Sequence, residues 1–238
     1  MASPANSHYH TRVNILALES STEACSAAIL RADGKVFSCF EIAPRQHTRL
    51  LPEMMNSVLA SAAVTKSSIT HCAFGNGPGA FTGIRIAASQ AQGIGIALDI
   101  PLIPISSLAI LAQVSLDKFD SLSTLVALDA RMAEIYWANY VRDGDGLAAL
   151  RGIESLSDAN DIEIPAGISC GAGHGWATEA MKRRQFADFP VDETLLPNAE
   201  SLLKLANSAV LKNLTCTADH IHINYLRNQV AEKARVKQ

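Results

Sequence analysis

The chain has 238 residues, of which 48% are hydrophobic and 18% are charged, and its formal net charge is −3. This composition suits one large domain or two small ones, and it excludes both a largely disordered chain and a protein that grips nucleic acid by a strong basic field of its own. The five cysteines form no CxxC pair, and no apolar run is long enough to span a membrane. We therefore expect a cytoplasmic protein with reduced thiols and no membrane contact.

The first half of the chain predicts strands and helices in the order β-β-β-α-β-α-β-α. An apolar run (VNILALE) opens this region, and Asp33-Gly34 predicts a hairpin turn within an antiparallel meander. Thr48 is the predicted cap of the first helix, and Ser106 or Ser107 that of the third. The predicted elements are strands over 13–19, 25–30 and 35–42, a helix from 48, a strand over 71–75, a helix over 82–98, a strand over 101–105 and a helix running to 114.

The pattern then partly restarts, which predicts a second lobe of related design. Strands are predicted on both sides of the turn DARM, and Asp143-Gly-Asp-Gly146 is a second hairpin turn. The predicted elements are strands over 123–129, 133–140 and 168–171, helices near 177–184 and 199–211, and a late strand over 220–226. We expect a mobile tail at 1–12, a first lobe over 13–117 and a smaller second lobe over 118–238.

The stretch GNGPGAFTGIR, residues 75–85, is the most informative motif. Three glycines and a proline precede a long helix of small residues. Such a loop has a defined shape, permits close approach of a ligand or of another backbone, and aims the N–H groups of the following helix at whatever lies in front of it. It predicts either an anion site or a tightly packed turn.

The element order resembles the half-domain of the actin, Hsp70 and sugar-kinase superfamily, so the fold class expected is a two-lobed α/β fold of this RNase H-like (ASKHA) type. The resemblance implies a nucleotide cleft between the lobes. In the alternative interpretation, the same residues satisfy hairpin backbones and form structural turns. The residues that would line such a cleft are Glu19, Ser20, Ser21, Thr22, Gly75, Gly77, Gly79, Asp129, Gly171, Gly173 and Gly175.

Five motifs in order resemble the TsaB (YeaZ) family: ILALESSTEACSAAIL, HTRLLPEM, GNGPGAFTGIR, ALDARMAEIYWA and NYLRNQVA. They extend from Ile15 to Ala231, nearly the whole chain. Glu19 departs from the aspartate that is frequent in this family, which weakens any cation role inferred there. The resemblance implies a non-catalytic subunit in the synthesis of N6-threonylcarbamoyladenosine on bacterial tRNA.

The resemblance also implies partners. The chain would bind the catalytic relative TsaD through helices of the first lobe, with TsaE joining and tRNA contacted through the complex. Threonylcarbamoyl would pass from its adenylate to the tRNA adenosine beside the anticodon. No cofactor of its own is implied, although ATP or ADP can belong to the complex. Because Leu50 and Met54 are expected to form a broad exposed apolar patch, we also expect the chain alone to form a weak homodimer.

The positions that hold a metal in the catalytic relative carry no suitable ligands in this chain, which favours the non-catalytic role. TsaD binds metal through two histidines spaced i, i+4 after a P-x-x-P strand, a spacing that brings both imidazoles to one ion. The matching segment here begins at Pro101 and places Ser107 and Leu111 at those positions. Serine is a poor ligand and leucine is none, so we expect neither a metal nor catalytic residues.

Two apolar features predict the partner surface. One is a ridge of small residues that recurs every four residues on the second predicted helix and permits close helix approach. The other is a wide stripe on the first helix, where methionine suits an adaptable surface. The alternative is that both helices only cover their own sheet. The predicted partner-binding residues are Leu50, Leu51, Met54, Met55, Val58, Gly83, Ala87, Ala91 and Gly95.

Other candidate sites carry less weight. His220 and His222 share one face of the late strand, where half-buried side chains outweigh a metal pair. Asp129 and Glu134 are either an acid–base pair or solvated carboxylates that Arg131 neutralises. The basic tail, with Arg227, Lys233, Arg235 and Lys237, is a solvated end or a minor tRNA contact. The competing functions are a stand-alone ATPase or kinase-like enzyme and, last, a glycoprotease-like peptidase.

Overall fold

A computed structural model describes residues 13–183 and 188–227 of the chain. Two five-stranded mixed sheets form its framework, with the strand orders β3-β2-β1-β4-β5 and β10-β9-β6-β7-β8. The strands are β1 Ile15–Glu19, β2 Ala24–Leu30, β3 Val36–Ile42, β4 His71–Gly75, β5 Leu102–Ile105, β6 Ser123–Arg131, β7 Glu134–Arg142, β8 Ala148–Asp158, β9 Cys170–Ala172 and β10 Val191–Asp192. The helices are α1 His47–Ser61, α2 Phe81–Leu98, α3 Ser107–Phe119, α4 Glu179–Arg183 and α5 Ala199–Leu211.

The two sheets have the same topology. In each, an antiparallel meander of three strands is extended by two parallel strands added beside the first strand of the meander. This repetition confirms the expected α/β fold class and the restart of the pattern. Strand β8 was missing from the predicted elements. It is an edge strand whose sequence, AALRGIESLSD, mixes charged residues with a glycine, because much of it faces solvent and it bulges at Gly152–Glu154.

The helices do not follow the chain order of the lobes. Helices α1 and α2 cover one face of the first sheet, where Leu51 and Ala91 are buried in a common core. The other face is covered by α5, which is late in the sequence, with Leu202 and Leu203 against β1 and β2. Helix α3, which is early, packs mainly on the second sheet. The domain boundary at 117/118 therefore stays a prediction. Helix α5, which follows that boundary in the sequence, packs on the first sheet.

The predicted late strand over 220–226 is wrong. Ile221 and Ile223 do alternate inward and pack against the core of the first lobe, but the segment joins no sheet. Isolated hydrogen bonds hold it instead, among them Asn224 N–H to the carbonyl of Asn76. His220 and His222 are exposed and not half-buried as expected. Alternation of apolar and polar residues indicates that one side of a segment is buried. An irregular segment that packs on the core shows the same alternation as a strand does.

Smaller differences concern helix starts. Helix α1 begins at His47 after Gln46, which makes no side-chain cap, so Thr48 is not the cap. Ser106 does cap α3, where its hydroxyl accepts from the N–H groups of Leu108 and Ala109. The helix predicted near 177–184 is present as the short α4, which begins at Glu179 after a 3₁₀ turn over His174–Ala177, and residue 184 lies outside the described part.

Candidate functional site

A cleft of about 560 Å³ lies between the two lobes. One wall comes from the turn after β1, the turn before α1 and the start of α2. The other comes from the β6–β7 turn and His174, and the segment 224–227 closes one end. Of the residues expected to line a nucleotide cleft, four lie on its wall: Ser21, Thr22, Gly79 and Asp129. The other seven do not line the cleft.

Glu19 is buried at the end of β1 with 1% of its surface exposed. Its Oε1 accepts from the N–H of Ser21 at 2.6 Å, and its Oε2 has no hydrogen-bond partner among the described residues. Burial raises the pKa of this carboxyl group, and the hydrogen bonds with Ser21 oppose that shift only in part. A Cβ on Gly75 would lie 1.8 Å from Oε2, so the glycine leaves the space that the carboxyl group fills.

The glycine loop packs on the turn after β1. A Cβ on Gly79 would lie 2.4 Å from the carbonyl oxygen of Ser21, and one on Gly83 would lie 2.0 Å from that of Ser20. The N–H of Ala80 donates to the Ser21 carbonyl, and the Ser20 hydroxyl donates to the Gly83 carbonyl. These glycines therefore allow backbone to meet backbone, and the room that a phosphate would take between the two loops is filled by the chain itself.

The second glycine motif is closed in the same way. Gly173 has a φ of +101°, and Cβ atoms on Gly173 and Gly175 would lie 2.3 Å from the oxygen and 2.7 Å from the carbonyl carbon of Ala127 in β6. A Cβ on Gly171 would lie 3.0 Å from the ring of Trp176. The turn is thus packed on its own sheet, and of this motif only His174 reaches the cleft.

His174 connects the lobes across the cleft. Its Nδ1 accepts from the backbone N–H of Asp129 at 3.0 Å, and its Nε2 lies 3.7 Å from Oε2 of Glu23 in the first lobe. Burial lowers the pKa of His174, while the nearby carboxylates of Glu23 and Asp129 act in the opposite direction and Arg131 adds to the lowering. With Nδ1 as acceptor, the neutral ring carries its proton on Nε2, the nitrogen that faces Glu23.

The two carboxylates beside the β6–β7 turn are each held by an arginine. Asp129 accepts from the N–H and the guanidinium of Arg131, and Glu134 accepts from the guanidinium of Arg227. The geometry matches the interpretation in which Asp129 is neutralised by Arg131. The tail residues Lys233, Arg235 and Lys237 lie outside the described residues.

Residues at the dismantled metal positions are packed into protein. Ser107 and Leu111 are both fully buried on α3, and a Cδ of Leu111 would lie 2.6 Å from a Cβ on Gly173. These side chains do not fit a metal. Within 13–183 and 188–227, no three His, Cys, Asp or Glu side chains are grouped so that they could hold an ion.

The ridge predicted for partner binding faces inward, as in the alternative in which α2 covers its own sheet. Ala87 and Ala91 are fully buried, and Gly95 lies under the side chain of Leu102. The expectation that Leu50 and Met54 are exposed is wrong, because both are buried in the same core as Leu51 and Val58. Gly83 is buried against the backbone of Ser20, and Met55 is partly buried. Small residues recur on both sides of α2, and periodicity alone did not tell which side meets the sheet.

The outer face of α2 carries a second small-residue row, Ser89, Gly93 and Ala97, beside Ile96, which is 69% exposed. A Cβ on Gly93 would meet nothing within 4 Å. The same i, i+4 spacing that indicated the inner ridge is present here, so the signal for this face was in the sequence.

Sequence reasoning missed two features around the cleft. Glu154, in the bulge of β8, accepts from Ser106, from the hydroxyl of Tyr140 at 2.6 Å and from the amide of Asn224 at 2.5 Å, and so joins three segments of the chain. Beside Phe81 and Tyr225, which line the cleft, the guanidinium of Arg85 lies over the ring of Phe81 and also approaches the ring of Tyr225. Long-range contacts of this kind, 140 residues apart for Arg85 and Tyr225, leave no local pattern.

Comparison with known proteins agrees with this architecture. Residues 40–235 match the family model described as TsaD, tRNA N6-adenosine threonylcarbamoyltransferase. The chain is 34% identical to the tRNA threonylcarbamoyladenosine biosynthesis protein TsaB of Escherichia coli over 93% of this chain and 97% of that protein, and also 34% identical to the protein of the same name from Haemophilus influenzae over 93% and 96%.

The fold is also similar to a solved structure. YeaZ from Pseudomonas aeruginosa superimposes with a TM-score of 0.85 at 38% identity, over 90% of this chain and all of that one. In the part of the chain that the structure describes, no helix is both long and apolar enough to cross a bilayer.

Proposed function

Because this chain belongs to the TsaB (YeaZ) family, we propose that it is a non-catalytic subunit in the biosynthesis of threonylcarbamoyladenosine on tRNA. It binds a TsaD-type transferase and supports threonylcarbamoyl transfer from the adenylate to the tRNA adenosine beside the anticodon. TsaE joins this assembly in the cytoplasm, tRNA is bound through the complex, and any ATP or ADP belongs to the complex and not to this chain alone.

The observation that carries this proposal is the packing of the loops where a related enzyme would hold its reactive groups. Gly83 meets Ser20, Gly75 meets Glu19, and Gly173 meets Leu111, each at a distance that leaves no room for another atom. A kinase or ATPase needs donors that are open to a phosphate and a carboxylate that is open to Mg²⁺. Here the N–H of Ala80 donates to the carbonyl of Ser21 and the carboxyl group of Glu19 is buried, which favours a binding role over catalysis.

The surface that we assign to the partner is the outer face of the α1–α2 pair. On α2 it comprises the row Ser89, Gly93 and Ala97 with the exposed Ile96, and on α1 it includes the partly buried Met55. A row of residues with small side chains lets a partner helix approach closely, so that two helices from each protein can form a four-helix interface. In the absence of the partner, the same face supports a weak homodimer.

The test is a reconstituted modification assay. Purified TsaD, TsaE, tRNA and threonylcarbamoyl-adenylate are combined with and without this chain, and modified adenosine is measured. The proposal predicts modification that depends on this chain, together with no ATP turnover and no modification by the chain alone. Robust ATP hydrolysis by the chain alone that disappears in Glu19→Ala would replace the proposal with the ATPase or kinase alternative.

A further inference from the structure

We propose that the mouth of the interlobe cleft is an RNA-binding site, in which Arg85 and Arg45 hold backbone phosphates and the rings of Phe81 and Tyr225 stack against an unpaired base. The inference rests on the proposed function, because it makes this chain contact the RNA on which that function acts. It differs from that function in assigning the contact to this chain's own residues.

Arg85 is a positively charged side chain that forms no ion pair with any residue that the structure describes. Its guanidinium carbon lies 3.6 Å from the ring centre of Phe81 and 5.6 Å from that of Tyr225, and its Nε donates to the Tyr225 hydroxyl at 2.7 Å. Among the described residues no ion pair neutralises this side chain, and its hydrogen bond uses Nε alone. The two terminal nitrogens are therefore presented in a set orientation, and such a fork suits the paired oxygens of a phosphate.

A second arginine at the mouth is also uncompensated. Arg45 lines the cleft from the turn before α1, where its φ is 66°, and it has no ion pair within the described residues. The neighbouring Arg131 and Arg227 are neutralised by their own carboxylates, and Glu23, whose neighbour His174 is neutral, offsets one of the two free arginine charges. The charge left over at the mouth is thus positive, although the chain as a whole has a net charge of −3. This local concentration attracts a polyanion.

The rings beside these charges are partly exposed, and the guanidinium of Arg85 covers one face of Phe81. Phe81 is 45% exposed and Tyr225 is 42% exposed, with ring centres 6.0 Å apart. Proteins bind single-stranded RNA by combining cationic side chains that follow the backbone with aromatic rings and guanidinium planes that stack on bases. An acidic peptide would use the two arginines but would leave the ring surfaces without a matching partner. The combination therefore favours RNA, and specifically an unpaired segment of it.

The floor of the cleft gives a reason for the ligand to stay at the mouth. Gly79 is packed on Ser21, so a phosphate cannot descend between the loops as it would in a kinase. A site at the mouth leaves this packing undisturbed.

The experiment measures the affinity of a fluorescently labelled RNA hairpin that corresponds to a tRNA anticodon arm. It is titrated against the full chain alone and against its mixture with TsaD, over a series of salt concentrations. The variants are Arg85→Gln, Arg45→Gln and Tyr225→Phe, which keeps the ring. The matched control is Arg49→Gln, an exposed arginine of α1 that pairs with Glu53. Thermal melting checks that each variant folds, and a pull-down checks binding to TsaD.

We expect Arg85→Gln and Arg45→Gln each to weaken RNA binding several-fold and each to lower the slope of log affinity against log salt by about 0.7, the value for one phosphate contact on a single strand. Tyr225→Phe should weaken it less, and Arg49→Gln should match the wild-type chain. The inference is overturned if both arginine variants bind RNA like the control, if neither the chain nor the mixture binds RNA, or if Arg85→Gln loses TsaD and not RNA. Loss of modification with RNA affinity unchanged would count against the inference but not against the proposed function.

Discussion

Glu19 and Gly75 fit together so closely that a single added carbon on the glycine would lie 1.8 Å from Oε2 of the glutamate. The two residues end the paired strands β1 and β4. Glutamate is one methylene longer than the aspartate expected at this position from the family resemblance, and here the carboxyl group fills the space beside the glycine. The residue that the sequence suggested as a cation ligand is thus part of the packing between two strands.

Gly75→Ala should destabilise the protein by about 1–3 kcal/mol, because overpacking a closed site forces neighbours out of position. The penalty should shrink in a Glu19→Ala background, since the obstructing side chain is then gone. Denaturant unfolding of the two single variants and the double variant measures this coupling. If the changes in unfolding free energy of the two single variants simply added up in the double variant, the contact between Gly75 and Glu19 would be contradicted. Gly83→Ala is the comparison, because it meets the backbone oxygen of Ser20 and side-chain removal cannot relieve it.

Glu19→Gln should flatten the pH dependence of stability. The pKa of Glu19 is raised in the folded protein above its ordinary value of 4.5 by burial. In the window above 4.5 the folded state binds more protons than the unfolded state, so the contribution of Glu19 is fully present below about 4.5 and is lost as pH rises through the folded pKa. Unfolding free energies over a pH series should show the variant gaining on the wild-type chain as pH increases. A constant difference would contradict a raised pKa.

For His174 the stability should depend on pH in the opposite direction, and His174→Asn should remove that dependence. Burial lowers the pKa of His174 from its ordinary value of 6.5, so the unfolded state binds more protons below 6.5 and the wild-type chain should lose stability as pH falls through the folded pKa. Asparagine retains an acceptor near the position of Nδ1 for the Asp129 N–H but does not titrate. Melting temperatures should therefore converge as the solution is acidified. If the gap between the two proteins widened at low pH, the assignment of a neutral buried imidazole would be wrong.

The two sides of α2 should respond differently to the same substitution. Ala91 is fully buried against the first sheet, so Ala91→Arg should unfold the protein by burying a charge without a partner. Ser89 lies on the exposed side, and Ser89→Arg should melt within a few degrees of the wild-type chain. Circular dichroism separates the two. A folded Ala91→Arg protein would contradict the burial of this side of α2 against the first sheet.

Much of the fold could be predicted because its elements carry local patterns. Strand β4 and helix α5 were predicted with the bounds that the structure gives, since a buried run ends at a glycine in the first case and a capped amphipathic stripe marks the second. Strand β8 was not predicted, because its edge position removes the alternation on which strand prediction depends. The repeated topology of the two lobes itself required a third meander strand there.

The site was harder to predict than the fold. The glycines were correctly singled out as positions of close approach, but sequence could not say whether a ligand or the chain's own backbone approaches. Only Ser20 and Ser21, distant in sequence from Gly79 and Gly83, decide that question. For the same reason the direction of the α2 ridge remained open, since a helix with small residues on two sides gives no periodic signal for the buried one.

The most direct test of the central claim is a single substitution at Gly93 in the reconstituted modification assay. A Cβ added there would meet no atom of residues 13–183 and 188–227 within 4 Å, so Gly93→Arg should fold normally while holding a partner helix away from α2. Gly144→Arg is the matched control, because that turn glycine is equally open and lies far along the chain from α2, in the β7–β8 turn. We predict that Gly93→Arg loses both TsaD binding and stimulation of tRNA modification, whereas Gly144→Arg retains both. Full binding and full modification with Gly93→Arg would contradict the assignment of this surface to the partner.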